Sequence, residues 1–274
     1  MIWEQNQTEP QKSIKSVPTK RENRTMIISE RHRLIIEELK KNPNISVREL
    51  AQKLYVSEPT IRRDFTELHQ KGIITKVYGG AVLNAGNAHR EIPFFLRENE
   101  KSITKSELGK QAAMLVHDGD VVMLDGSTSA YHIIPYLSGL KDVTVITSGA
   151  KTAVAAAEAN LRTFSTGGQM IIHSYSYIGK QAEDFVRRVN ADILFFSCHG
   201  WDQKGWMSDN AIEEATLRQA MFEHSRKKVL LCDSSKIGRS CFYNMGNVAS
   251  IDAIISDREL PEELVQMVAT AIRQ

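Results

Sequence analysis

From residue 102 to the C-terminus, short apolar runs alternate with helical patterns, and this alternation constrains the fold more than any other feature. The runs are VVML (121–124), VTVIT (143–147), LRTFST (161–166), DILFFSC (192–198), KVLLC (228–232) and AIIS (253–256). Helical patterns lie between them at 103–117, 131–137, 153–159, 180–189 and 211–224, with a last helix at the C-terminus. Strands that are apolar throughout, each followed by a helix, predict a parallel sheet covered on both faces. The fold class is therefore α/β, with a Rossmann-like sheet domain over residues 102–274.

The first third of the chain reads differently. In VSEPTIRRDFTELHQK (56–71), Ser57 is a helix N-cap and Pro59 suits a first helical turn, where its missing N–H costs little. With Pro at that position, the Ser57 hydroxyl must cap the N–H of Thr60. Ile61, Phe65 and Leu68 form one buried stripe, and Thr60, Arg62, Arg63 and Thr66 lie opposite it. Ahead of this helix, 29–41 reads as a helix with Ser29 as its N-cap candidate and Leu34, Ile35 and Leu39 facing inward. It stops at Asn42-Pro43-Asn44. Ser46 and Glu49 make a capping box for a second helix that buries Val47, Leu50, Ala51 and Leu54. After Gly72, IITKVYGGAVL predicts a β-ribbon turning at Gly79-Gly80. Helix, helix, turn, helix and ribbon make a winged helix-turn-helix over residues 25–83. The helix at 56–71 is the one that would enter the major groove of double-stranded operator DNA. Its DNA-contact candidates are Ser57, Thr60, Arg62 and Arg63, with Lys76 and Tyr78 on the ribbon. Taken alone, it is equally an amphipathic helix with a solvated basic face.

Charge distribution agrees with a DNA-binding head. Residues 20–83 carry 13 Lys and Arg against 8 Asp and Glu, whereas residues 84–274 carry 20 against 23. Residues 1–24 read as a disordered tail and 84–101 as a linker, in which Phe94 and Phe95 are apolar enough to dock on the body. No apolar run reaches the ~20 residues of a membrane span, and the N-terminal stretch has no signal-peptide core. Cys198, Cys232 and Cys241 form no CxxC or zinc spacing, so no metal, no cofactor and no disulfide framework is expected. These features predict a cytoplasmic protein.

Ligands of open parallel sheets bind at the carboxyl ends of the strands. Those ends here are polar and small: Asp125-Gly126-Ser127-Thr128-Ser129, Thr147-Ser148-Gly149, Gly167-Gly168, His199-Gly200 and Asp233-Ser234-Ser235-Lys236. Backbone N–H groups and hydroxyls of Ser127, Thr128 and Ser129 suit a phosphate, with Lys236 as a neutralising charge. Asp125 suits sugar hydroxyls, and His199 suits either a ligand hydroxyl or a satisfied turn. Gly, Ser and Thr are equally common as turn and capping residues after any strand, so the residues alone leave phosphate binding open.

Residues 29–83, and above all VSEPTIRRDFTELHQKGII followed by VYGGA, resemble the DNA-binding domain of the DeoR family of bacterial transcription regulators. Tyr55 departs from the Gly or Asn common at its position; either the turn differs or the position needs no left-handed backbone. The body resembles the DeoR-type effector domain in LDGSTS, ITSGA, STGGQM and LCDSSKIGR. Here Ser148 stands for the usual Asn, and Ser197, Cys198 and His199 stand for smaller residues. The resemblance spans about residues 29–260. It implies a body related to ribose-5-phosphate isomerase and a repressor of carbohydrate-metabolism genes that acts as a dimer or tetramer. It also implies a phosphorylated sugar or related metabolite as effector, and it adds Glu213 to the effector-site candidates. The fold kinship alone would equally allow a sugar-phosphate isomerase or deaminase fused to a DNA-binding head. No acid/base pair emerges from the strand ends, so no catalytic residue is expected. A ligand-free architectural DNA-binding protein would leave the polar strand ends without a purpose.

Overall fold

A computed structural model describes residues 28–43, 45–83, 93–260, 262 and 268. The expected N-terminal tail, linker residues 84–92 and most of the expected C-terminal helix lie outside the described residues. The chain divides into two compact units, Met1–Asn84 and Ala85–Gln274.

The first unit holds α1 (Ile28–Lys41), α2 (Val47–Lys53), α3 (Glu58–Gln70) and the ribbon β1 (Ile74–Val77) and β2 (Gly80–Leu83). Helix α1 begins at Ile28, so Ser29 lies inside its first turn and not ahead of it. Its buried face is Ile35, Ile36 and Leu39 together with His32, while Leu34 is half-buried. Ser46 caps α2 by accepting from the Glu49 N–H at 3.2 Å, and the Glu49 carboxylate accepts from the Ser46 N–H at 2.8 Å. The ribbon pairs antiparallel with Val77 opposite Gly80, so its two-residue turn is Tyr78-Gly79, one residue earlier than expected. Gly79 takes φ +78° there, a left-handed conformation that glycine adopts without strain.

The second unit is built on six parallel strands: β3 (Val121–Leu124), β4 (Thr144–Thr147), β5 (Arg162–Ser165), β8 (Ala191–Phe196), β11 (Ser225–Cys232) and β13 (Ala253–Ser256). Their order is β13-β11-β8-β3-β4-β5. Val122, Leu124, Val145, Ile193, Phe195, Val229 and Leu231 face one layer of helices, α5 (Ser102–Ala113), α6 (Thr128–Tyr131), α7 (Ile134–Leu137) and α8 (Ala150–Glu158). Met123, Ile146, Leu194, Phe196 and Leu230 face the other layer, α9 (Lys180–Val186) and α10 (Ile212–Glu223). Burial on both faces explains why the strands read as unbroken apolar runs.

The structure departs from expectation in four places. The single helix expected at 131–137 is two short helices, because Pro135 begins a new one. Helix α8 starts at Ala150, so Lys151 and Thr152 are helical and not loop. A hairpin, β6 (Gln169–Ile171) with β7 (Ser176–Ile178), and a three-stranded antiparallel sheet of β9 (Gly200–Trp201), β10 (Trp206–Asp209) and β12 (Tyr243–Asn247) were not anticipated. Residues 94–99, assigned to the linker by sequence, form α4 (Phe94–Asn99). Phe94 is fully buried between the rings of Tyr131 and Tyr175, at 5.7 and 6.2 Å, and Phe95 is half-buried.

Candidate functional site

In the first unit, Ser57 accepts from the Thr60 N–H at 3.3 Å, the bond that Pro59 forces on it. Arg62 and Arg63 are exposed on α3, with Arg62 3.5 Å from Glu58. Lys76 on the ribbon donates to the Thr66 hydroxyl on α3 at 3.3 Å, so strand and helix present one continuous polar face. Tyr78 is fully exposed at the ribbon tip. Tyr55 holds φ +54°, so the turn does need the left-handed conformation and a bulky residue supplies it. Sequence reasoning missed the lock that holds α3 from behind. The buried Asp64 carboxylate accepts from Arg31 at 2.6 and 2.8 Å and lies 3.2 Å from His32.

In the second unit the chain runs from β3 outward to β4 and β5, then returns past β3 to β8, β11 and β13. The sheet therefore reverses direction between β3 and β8. The crevice at such a reversal is where ligands of open parallel sheets bind. Asp125 sits at that point, 1% exposed. One carboxylate oxygen accepts from the Ser127 N–H at 3.0 Å; the other accepts from the Ser197 N–H at 3.1 Å and Arg218 Nε at 2.8 Å.

Above it opens a cavity of about 270 Å³. Its walls include Ser127, Thr128, Ser129, His199 and Lys236, so five of the expected effector residues meet in one place. The other six do not line it. Asp125 lies beneath, with both oxygens engaged, and positions the loop and Arg218 without facing the cavity. Thr147 is buried with its hydroxyl accepting from the Gly149 N–H at 3.0 Å. Ser148 faces a separate small cavity beside Ser176 and Glu214. Gly167 and Gly168 form a left-handed turn at φ +64° and +104°; a Cβ on Gly168 would come within 2.5 Å of the Ile178 carbonyl oxygen. Glu213 is exposed on α10, and the buried acid is its neighbour Glu214, 3.3 Å from Arg218.

Two charge clusters line the cavity, with Arg239 as a further cation in its wall. One holds Arg97, Glu100, Lys101, Lys105, Asp233 and Lys236. Lys101 donates to Asp233 at 2.6 Å, and Lys236 donates to the Ser197 hydroxyl at 2.7 Å, which in turn donates to the Leu231 carbonyl at 2.6 Å. Lys105 donates to the Glu100 carbonyl at 2.8 Å and to that of Arg97, tying α5 to α4. Burial, with Lys236 adding repulsion, pulls its ammonium down to about 8. Burial pushes Asp233 up, but Lys236 and the bonds from Lys101 and Ser235 outweigh it and leave the carboxyl at about 2. Four cations against two carboxylates leave two positive charges in surplus.

The second cluster centres on Arg218, which also donates to Asp209 at 2.6 Å. Burial penalises the Asp209 charge, yet the fields of Arg218 and His199 overcome it and hold the carboxyl well below its usual range. Asp209 Oδ1 lies 2.7 Å from His199 Nδ1, which leaves Nε2 for the cavity. This cluster sets an imidazole, a carboxylate and a guanidinium side by side at the cavity wall. Arg218 and Asp209 were missed because neither stands in a recognisable spacing; the only local signal was Glu214 four residues ahead of Arg218. Lys101 and Lys105 were missed because they precede the first strand. No group of three His, Cys, Asp or Glu side chains among the described residues is placed to hold a metal ion.

A winged helix-turn-helix joined to a parallel-sheet unit with an anion-suited crevice defines a transcription regulator with a sensor. Residues 100–258 match the DeoR C terminal sensor domain and residues 31–86 match the DeoR-like helix-turn-helix domain. The chain belongs to the DeoR family and is a DNA-binding transcription regulator. It is 33% identical over 236 residues to the uncharacterized HTH-type transcriptional regulator YulB of Bacillus subtilis, covering 86% of this chain and 91% of that protein. It is 32% identical over 240 residues to the HTH-type transcriptional regulator GolR of Listeria innocua, covering 86% and 92%. With the glycerol-3-phosphate regulon repressor of Escherichia coli it shares 26% over 240 residues, covering 87% and 94%. Likeness to solved structures is slight: ribose 5-phosphate isomerase A of Methanocaldococcus jannaschii overlaps 48% of this chain and 53% of its own at TM-score 0.37 and 18% identity.

Proposed function

We propose that this regulator is a repressor of carbohydrate-metabolism genes whose effector is a phosphorylated polyhydroxy metabolite. The carrying observation is the two-part cavity. The surplus of two positive charges among Arg97, Lys101, Lys105 and Lys236 matches a phosphate dianion. The cluster of His199, Asp209 and Arg218, which pairs an imidazole and a carboxylate with guanidinium N–H donors, suits the hydroxyls of the same molecule. Relatives include a repressor of the glycerol-3-phosphate regulon and a putative repressor of the aga operon, which agrees with this reading. No catalytic role is assigned to any residue: of the cavity's acids, Asp209 is held by Arg218 and Asp233 by Lys101.

Ser57, Thr60, Arg62 and Arg63 on α3, with Lys76 and Tyr78 on the ribbon, are the proposed DNA contacts. Two heads reading successive major grooves need centres ~34–36 Å apart, so the working form is a dimer or tetramer. The head works through residue 83, and residues 93–101 act with the sensor. No described helix is long and apolar enough to cross a membrane; a cytoplasmic site of action fits binding to operator DNA.

The test is a thermal-shift screen pairing each phosphorylated sugar or polyol with its unphosphorylated form. A shift confined to phosphorylated compounds, and lost in Lys236→Met, is expected; equal shifts with both forms would end the phosphate reading. Footprinting on the gene's own upstream region tests the output. Arg63→Ala should cost about 1–3 kcal/mol of specific binding if that side chain reads a guanine.

A further inference from the structure

Two of the three cysteines of the chain, Cys198 and Cys232, stand at the carboxyl ends of two neighbouring strands. Val229 pairs with Phe195 and Leu230 with Phe196 in the parallel ladder of β11 and β8. Continuing that register by two residues sets Cys232 beside Cys198. The Ser197 hydroxyl, bonded to the Leu231 carbonyl at 2.6 Å, fixes the intervening pair. Paired strands lie about 4.8 Å apart, within the roughly 4.4–6.8 Å Cα separation that a disulfide spans. Both side chains lie in the same apolar layer, and each thiol is the other's dominant neighbour.

Access and polarity separate the two. Cys198 forms part of the cavity wall, whereas Cys232 is fully buried behind it. The Cys232 thiol, against the opposing effect of burial and with help from Lys236, draws the Cys198 thiol below its ordinary value. Cys232 is pushed well above its own, first by Cys198 and then by burial. One sulfur is thus poised to react and the other to wait. Cys241 is half-buried nearby and lines neither the cavity nor the ladder.

We propose that Cys198 and Cys232 form a reversible disulfide, a redox modification site in the wall of the sensor cavity, with a hydroperoxide as oxidant. The Cys198 thiolate attacks the peroxide, the O–O bond breaks, and sulfenic acid forms with release of water or alcohol. The Cys232 sulfur then attacks the Cys198 sulfur, the S–O bond breaks, and hydroxide leaves as water with the Cys232 proton. Two thiols lose two electrons and one peroxide gains them; a dithiol reverses the step. The bond ties the segment that leads to His199 to the segment that leads to Asp233 and Lys236, so oxidation reshapes the cavity. The disulfide stands independently of the effector reading; its shielding by a bound anion rests on that reading.

The full-length protein is treated with hydrogen peroxide at one equivalent, then alkylated and mapped by mass spectrometry. The alkylatable thiols should fall from the three of the chain to one, with Cys198 and Cys232 joined in a peptide pair about 2 Da lighter than the reduced pair and Cys241 alkylated. A bond that includes Cys241, a sulfinic acid on Cys198 with Cys232 still alkylatable, or no reaction without denaturant would overturn the proposal. Cys232→Ala should trap the sulfenic acid on Cys198 for dimedone labelling, and Cys198→Ala should leave Cys232 unreactive. Saturating inorganic phosphate should slow the oxidation severalfold; a disulfide that forms at the same rate with phosphate present would overturn the anion-cavity reading while leaving the redox site standing.

Discussion

Tyr55 holds the turn between α2 and α3 at φ +54° and is 74% exposed. A left-handed residue that carries a Cβ costs roughly 1–2 kcal/mol, and an exposed ring returns little of that by packing. Tyr55→Gly should therefore raise the urea midpoint of the head's transition by the equivalent of about 0.5–1 kcal/mol, the remainder being lost to glycine's greater freedom in the unfolded chain. A lower midpoint would mean that the ring makes contacts worth more than the strain. The same position shows what a sequence carries at residue scale. Capping by Ser46 and Ser57 was legible because it depends on residues three apart. The left-handed turn was left open because its need comes from the geometry of two flanking helices, and Tyr gives no local sign of it. Glu213 and Glu214 make the same point: only the helix phase, which neighbours on other elements fix, decides which is buried.

Between elements, buried ion pairs decide what is fixed, and these pairs are the least legible part of the chain. Arg31 and Asp64 are 33 residues apart, so no window of sequence joins them. Asp64→Asn should destabilise the head by about 3 kcal/mol, because it leaves the Arg31 charge without its carboxylate in a partly buried site. Burial raises the Asp64 carboxyl, but the bonds from Arg31 and His32 outweigh this and set it below 3.8. Its stabilisation is thus fully present above pH 3.8 and is lost as pH falls through the lowered value. The wild-type head should lose this share of stability in acid, and Asp64→Asn should not; parallel acid profiles in the two proteins would rule the pair out as the cause. The parallel strands were legible because burial on both faces leaves an unbroken apolar run. The antiparallel sheet was not: β9 has two residues, and β10 shifts register between Met207 and Ser208, so no alternation survives. Lys105 joins α5 to α4 and lines the cavity, with its ammonium at about 8 against 10.5 when free. The cost of burying that charge is present below about pH 8 and fades as pH rises toward 10.5. Anion binding has the opposite need, since it requires the charged form. If a bound phosphate raises Lys105 by one unit, phosphate affinity should fall about tenfold as pH rises through that range, and Lys105→Arg should flatten the profile. A profile that is equally steep in Lys105→Arg would assign the titration to another group.

At the scale of the whole molecule, a sensor is useful to a DNA-reading head only through a difference in free energy between two states. A ligand can shift DNA affinity no further than its own preference for one state over the other, and linkage makes that exchange symmetric. The chain supplies a physical route. Helix α4 carries Arg97 in the cavity wall and is pinned by Phe94, whose N–H donates to the His173 carbonyl at 2.8 Å, and by Lys105. The same stretch of backbone continues through residues 84–92 to the ribbon of the head. A phosphate that competes with Asp233 for Lys101 would loosen one tie on this stretch and neutralise the surplus charge that α4 faces. Operator affinity should therefore change by some factor when a saturating phosphorylated effector is added, and effector affinity should change by the same factor when saturating operator is added. Calorimetry of the effector with and without operator DNA, set beside operator titrations with and without effector, measures both. Factors that agree within error establish one coupled equilibrium; an effector affinity indifferent to operator, against an operator affinity that moves, would mean that the ligand acts outside the described cavity or that the DNA response has another cause. Phe94→Leu, which loosens the anchor of α4 while leaving every charged group of the cavity in place, should shrink both factors together.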